Sequence, residues 1–139
     1  MDRAALIRFL QSQPLAVEAS ISGAAGPQAA VIGIAVSLAG EIVFDTSSAS
    51  RKCRNLRRDP RIALVIGWND ERTVQLEGRA DEPQGAELEA LKARYFEVYP
   101  DGREREAWPD IVYFRVRPSW ARFSDFSGSA PEITEFTWP

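Results

Sequence analysis

Most connections between strand-like segments are too short for neighbouring strands to run parallel, and this restricts the fold more than any other feature of the chain. LAVEASIS at 15–22 alternates, with Leu15, Val17, Ala19 and Ile21 on one side and Glu18, Ser20 and Ser22 among those on the other, as expected of a strand with one buried face. The turn GAAGP at 23–27 leads straight into the apolar run QAAVIGIAVS, and the turn LAGE leads into EIVFD. A parallel pair needs a crossover of roughly a dozen residues or more, so these neighbours should pair antiparallel.

The later segments fit the same frame. RIALVIGW, like QAAVIGIAVS, is continuously apolar, so both of its faces are expected to be covered. TVQLEGRAD alternates again, with Val74, Leu76, Gly78 and Ala80 against Thr73, Gln75, Glu77 and Arg79. In DIVYFRVRP, Val112, Phe114 and Val116 oppose Tyr113, Arg115 and Arg117, and WARFSDF reads as the last strand. Helices are expected over residues 2–12, capped by Asp2, over 50–58, ended with the help of Pro60, and over about 84–98, where Leu88, Leu91, Tyr95 and Val98 form one stripe. Roughly seven strands and three helices predict an α+β chain, mostly β with flanking helices. A small closed or split antiparallel barrel is the most economical arrangement.

At 139 residues the chain is read as a single domain spanning 1–139, long enough to fold without a disulfide. Its longest apolar run, AAVIGIAV at 29–36, falls far short of the ~20 residues of a membrane span. The first residues, MDRAALIRFL, lack a small-residue cleavage site, and Cys53 has no second cysteine to pair with, so a cytoplasmic protein is expected. The absence of histidine excludes Ser-His-Asp and Cys-His nucleophile systems and His-ligated zinc, and points to a bound cofactor as the source of any hard chemistry. No metal site is expected, and no catalytic acid or base can be named. A net charge of −3, with no aromatics interleaved among the Arg51–Arg61 bases, argues against nucleic acid as a partner.

FDTSSASRKCRNLRRDPR at 44–61 carries the chemistry. If Ser50 caps the helix, Arg51 and Lys52 face the positive end of its dipole, at a cost of some tenths of a kcal/mol each. A bound anion reverses that sign. Free N–H groups, the hydroxyls from Thr46 to Ser50, an Arg fork and a Lys charge all suit a phosphate. The alternative is a solvated basic helix, since Arg54, Arg57 and Arg58 follow. Cys53 is expected to be buried packing, Trp68 to sit in the core at a barrel end, Trp108 and Trp138 to pack, and Glu87, Glu89, Asp110 and Asp125 to be solvated or capping carboxylates.

The run EIVFDTSSASRKCRNLRRDPRIALVIGW, followed by ERTVQLEGRADE and later YFRVRPSWARFSDF, resembles the pyridoxamine 5'-phosphate oxidase-like flavoproteins in the order of its elements, from about residue 14 to 126. The resemblance implies an antiparallel split β-barrel homodimer with FMN in two clefts at the subunit interface. It assigns the FMN phosphate to Thr46, Ser47, Ser50, Arg51 and Lys52, places Thr73 and Gln75 near the flavin, and makes Trp120 and Arg122 the counterparts of residues reaching the cofactor across the dimer. It further implies a flavin-dependent oxidoreductase acting on a small-molecule substrate. The alternatives are a non-catalytic flavin sensor or carrier, a reductase using the deazaflavin F420, and a haem protein. Two departures point away from pyridoxamine phosphate as substrate. The strand before the Thr/Ser segment is the uncharged AAVIGIAVS, and the family's late Arg-x-His element has no histidine here.

Overall fold

Asp2 begins the first helix. Its carboxylate accepts the Ala5 N–H at 2.8 Å, and α1 (Arg3–Gln11) follows in the computed structural model, which describes residues 1–139. Leu6 and Leu10, about one turn apart, are buried in the core. β1 (Leu15–Ser22) and β2 (Gly26–Gly33) form a hairpin over the expected turn, and the run that begins β2 continues past Ile34 into the short β3 (Ala35–Val36). β4 (Ile42–Ser47) leads to α2 (Arg51–Arg58), then β5 (Arg61–Ile66), β6 (Arg72–Asp81) and α3 (Gly85–Val98). A single-turn α4 (Gly102–Arg105) occupies the PDGRERE stretch expected to be loop. The chain closes with β7 (Ile111–Asp125) and β8 (Glu132–Thr137).

All strand pairs are antiparallel. The order is β2-β1-β5-β6-β7-β4-β3, and β8 adds to β7. β7 is a single 15-residue strand rather than the two segments expected, and its two halves have different neighbours. Ile111–Val116 pairs with β4, Trp120–Asp125 pairs with β8, and β6 runs beside both. Between the halves the register slips at Glu77/Gly78, opposite Pro118. A bulge of this kind bends a sheet, and this one curls into a split half-barrel.

Two apolar clusters hold the sheet. The larger fills the curl with Phe44 stacked on Phe114 at 5.7 Å, together with Leu6, Leu10, Ile34, Leu64, Ile66 and Leu76. The smaller lies under α3, where Leu91, Tyr95 and Phe96 meet Ala35, Val43 and Tyr113. β4 lies between the two clusters, which is why Ile42, Val43 and Phe44 are all buried. No helix is long and apolar enough to cross a membrane.

Three expectations need correction. In β1 the buried side chains are Ala16, Glu18 and Ser20, while the apolar row Leu15, Val17, Ala19 and Ile21 faces outward. β5 buries Ile62, Leu64 and Ile66 but leaves Val65 40% exposed, and in β2 Val31 is 63% exposed, so within one chain RIALVIGW is not covered on both faces and QAAVIGIAVS is so covered only around Ile34, Ala35 and Val36. Trp68 and Trp108 are exposed rather than packed, whereas Trp138 packs against the core beneath the Arg3 guanidinium at 4.6 Å.

Candidate functional site

The turn between β4 and α2 is built by its own hydroxyls. Ser50 is the N-cap, and its Oγ accepts the Cys53 N–H at 3.2 Å while the Thr46 hydroxyl donates to it at 3.0 Å. Ser47 donates to Asp110 Oδ2 at 2.6 Å and accepts the Ala49 N–H at 3.1 Å. Asp110 also accepts the Ser48 N–H through its backbone carbonyl at 2.7 Å, so the segment before β7 clamps the turn. Thr46, Ser47 and Ser50 therefore shape the loop first, and whatever they offer a ligand is their remaining hydrogen-bonding capacity. Cys53 is buried, as expected, and burial pushes its thiol pKa up.

The helix separates its cations into two kinds. Arg54 donates to Ala49 O, Arg57 holds Glu82 through two bonds, and Arg58 donates to Ile21 O. Arg51 and Lys52 have no such partner, and both line a cavity of about 110 Å³ with Glu18, Ser20, Gln28, Ala29 and Ala30. Asn55 Nδ2 donates to Ser20 Oγ at 3.1 Å and to Gln28 Oε1 at 3.0 Å, fastening α2 to the β1–β2 hairpin that forms the opposite wall. The first-turn N–H groups of Arg51 and Lys52 precede the first intrahelical bond, which Arg54 N makes to Ser50 O at 3.2 Å.

Glu18 is the residue that sequence reasoning missed. It is 2% exposed, and its Oε2 has no hydrogen-bond partner. Burial raises its pKa, while the Lys52 charge and a hydrogen bond with Ser20 pull it back. The available signal was pleat parity: if Ala16 and Ser20 point inward, Glu18 does too.

The flavin-ring candidates lie elsewhere. Gln75 is opposite Arg122 and Glu77 opposite Trp120 in the β6–β7 ladder, on the face away from Val74 and Leu76. Arg122 is held by Glu135, at 2.6 Å, and lies 5.8 Å from the Trp120 ring centre. Thr73 borders a separate hollow with Trp68 and Phe126. Arg51 and Lys52 are thus brought together, as are Gln75, Trp120 and Arg122, but the two groups lie on opposite faces of the sheet.

The family model of pyridoxamine 5'-phosphate oxidase matches residues 3–125. A pyridoxine/pyridoxamine 5'-phosphate oxidase of Kineococcus radiotolerans is 34% identical over 97 residues, covering 69% of this chain but only 42% of that protein, so the chain corresponds to less than half of the relative's length. Among solved structures, a haem binding protein from Mycobacterium smegmatis superposes with a TM-score of 0.81 at 22% identity, over 99% of this chain and 59% of that one. HutZ, the haem storage protein of Vibrio cholerae, superposes with a TM-score of 0.72 at 14% identity, over 97% and 93%. At these identities the structural likeness is one of fold. The match over residues 3–125, joined to the split half-barrel, shows that the chain belongs to the pyridoxamine 5'-phosphate oxidase family.

Proposed function

We propose that the chain binds FMN as a homodimer, anchors the cofactor's phosphate at the start of α2, and serves as a flavin-dependent oxidoreductase for a small substrate. The observation that carries this reading is the pair of partnerless cations, Arg51 and Lys52, in the first turn of a helix whose other arginines are tied down. A helix start repels cations unless an anion offsets both them and the dipole. The donor set fits a phosphate: an Arg fork, a Lys point charge and two free N–H groups around a cavity of about 110 Å³.

The separation of the two residue groups supports the dimer. A ligand that touches Arg51 and Lys52 as well as Gln75, Trp120 or Arg122 has to lie between two chains. The outward face is suited to a second copy: Val17 stands between Val31 and Val65 in adjacent strands, and all three point away from the core. Bound FMN would supply hydride transfer, while the chain's residues hold its phosphate, flank its ring and limit access of water.

A haem reading draws on the names of two structural neighbours. It would require an axial ligand other than imidazole, because the chain has no histidine. The absorption spectrum of the purified protein, with mass spectrometry of the released cofactor, decides between them. Bands near ~375 and ~450 nm with FMN released support the proposal, since these bands belong to the flavin itself. A haem spectrum, or a colourless protein that fails to take up added FMN, overturns it.

A further inference from the structure

We propose that Glu18 sets the charge specificity of the α2 cavity by taking up a proton from solvent when a phosphate monoester binds beside Arg51 and Lys52. The inference rests on the phosphate reading above and deepens it. Its basis is a buried carboxylate facing an anion site, with one oxygen, Oε2, that nothing in the chain satisfies.

The charges decide the direction. From α2, Arg51 and Lys52 share the cavity with Glu18, and the Lys52 charge is the one that acts on its carboxyl. At the same level β2 presents Ala30 and Gln28, and β5 pairs Leu64 with Glu18, so neither strand adds a titratable group. With Glu18 ionised, two cations and one carboxylate leave the cavity a single net positive charge. A phosphate monoester carries close to two negative charges at neutral pH, so its arrival would leave one buried negative charge uncompensated. Such a charge is expensive away from water. A proton on Glu18 brings the sum to zero and turns the partnerless oxygen into a hydrogen-bond donor toward a phosphate oxygen. Burial has already moved the free carboxyl toward protonation, and the incoming anion moves it further.

The sign follows from linkage. Because the bound state holds the proton more tightly than the free state, affinity for the dianionic phosphate weakens as pH rises past the free Glu18 pKa, by up to about tenfold per pH unit. Neutral Gln at this position should bind the phosphate without a proton.

The test is calorimetric titration of the full chain with FMN at about pH 7.5, where the phosphate itself is largely dianionic, in two phosphate-free buffers of different ionisation enthalpy, with riboflavin as the phosphate-free control. Wild type should take up about half to one proton per FMN. Glu18→Gln should take up almost none and bind at least about tenfold tighter, the equivalent of one pKa unit. FMN binding tighter than riboflavin with no proton uptake by wild type, or with identical uptake by both proteins, overturns the role of Glu18 and leaves the phosphate site standing. If FMN binds no better than riboflavin to either protein, the phosphate site falls and this inference with it. Should Glu18→Gln fail to fold, Glu18→Ala read in the same two buffers takes its place, and absence of proton uptake by wild type overturns the role of Glu18 without either variant.

Discussion

The Thr46 hydroxyl donates to the Ser50 hydroxyl at 3.0 Å, joining β4 to the cap of α2. Ser50 in turn accepts the Cys53 N–H, so one oxygen serves both a buried threonine and the helix start. Ser50→Ala removes a cap, typically worth about 1 kcal/mol, and leaves the Thr46 hydroxyl without its acceptor, adding a penalty of roughly 1 kcal/mol or more. Urea unfolding should therefore show a loss near 2 kcal/mol. An unchanged midpoint would mean that the turn does not depend on this bond.

Arg51→Ala combined with Lys52→Ala should weaken FMN binding by about 2 kcal/mol or more, since hydrogen bonds to charged groups contribute roughly 1.5–3 kcal/mol each. The same pair should leave unfolding stability unchanged or improve it by a few tenths of a kcal/mol, because two cations are removed from a helix start. Flavin fluorescence quenching measures the first effect and denaturation the second. Unchanged affinity would return these residues to a solvated basic helix.

Much of the fold around α2 was legible in the sequence because the signals are local. Asp2 and Ser50 cap the helices they were expected to cap, and β6 alternates as its side chains dictate. What the sequence left ambiguous was which face of a strand lies inside. LAVEASIS placed its apolar residues on one side, yet the fold turns Ala16, Glu18 and Ser20 inward, where α2 supplies Lys52 and Asn55 as neighbours. That choice depends on contacts between segments far apart in the chain. β8 escaped notice because EITEFT buries no residue fully, with Phe136 alone of its apolar residues packed partly against the core, and in the sheet it pairs only with the distal half of β7.

Gly78 sits at the slip between β6 and β7, where a Cβ would meet the Arg117 carbonyl oxygen at 2.3 Å. That oxygen is backbone within a paired strand and cannot swing aside. Gly78→Ala should cost about 3 kcal/mol, the upper part of the usual range for overpacking, with the bend of β7 the first feature to suffer. Thermal unfolding within a degree of wild type would show that the bulge can relax.

Arg115 is buried and donates to Asp81 at 2.9 and 2.8 Å and to Glu87 at 3.0 Å. The Arg115 bonds hold the Asp81 pKa below the usual carboxylate range. A depressed folded pKa contributes stability that is present above the unfolded value of about 3.9 and is lost as pH falls through the folded pKa. Asp81→Asn should therefore be less stable than wild type at neutral pH, with the gap closing between about pH 5 and pH 2. A gap independent of pH would assign the loss to packing rather than to the carboxylate charge.

Val31 and Val65 are both exposed in the single chain and lie on either side of Val17 in adjacent strands. A lysine at either position would be solvated in a monomer, where surface changes usually stay within about 0.5 kcal/mol. In a dimer formed on this face, the same lysines would bury charges without partners, at several kcal/mol each. Sedimentation of wild type should give twice the chain mass, and Val31→Lys with Val65→Lys should give the chain mass with its secondary structure intact. If FMN lies between two chains, the variant should lose flavin affinity as well, even though Arg51 and Lys52 are untouched on the opposite side of the sheet. A monomeric wild type, or a dissociated variant that binds FMN as tightly as before, would confine the cofactor site to one chain.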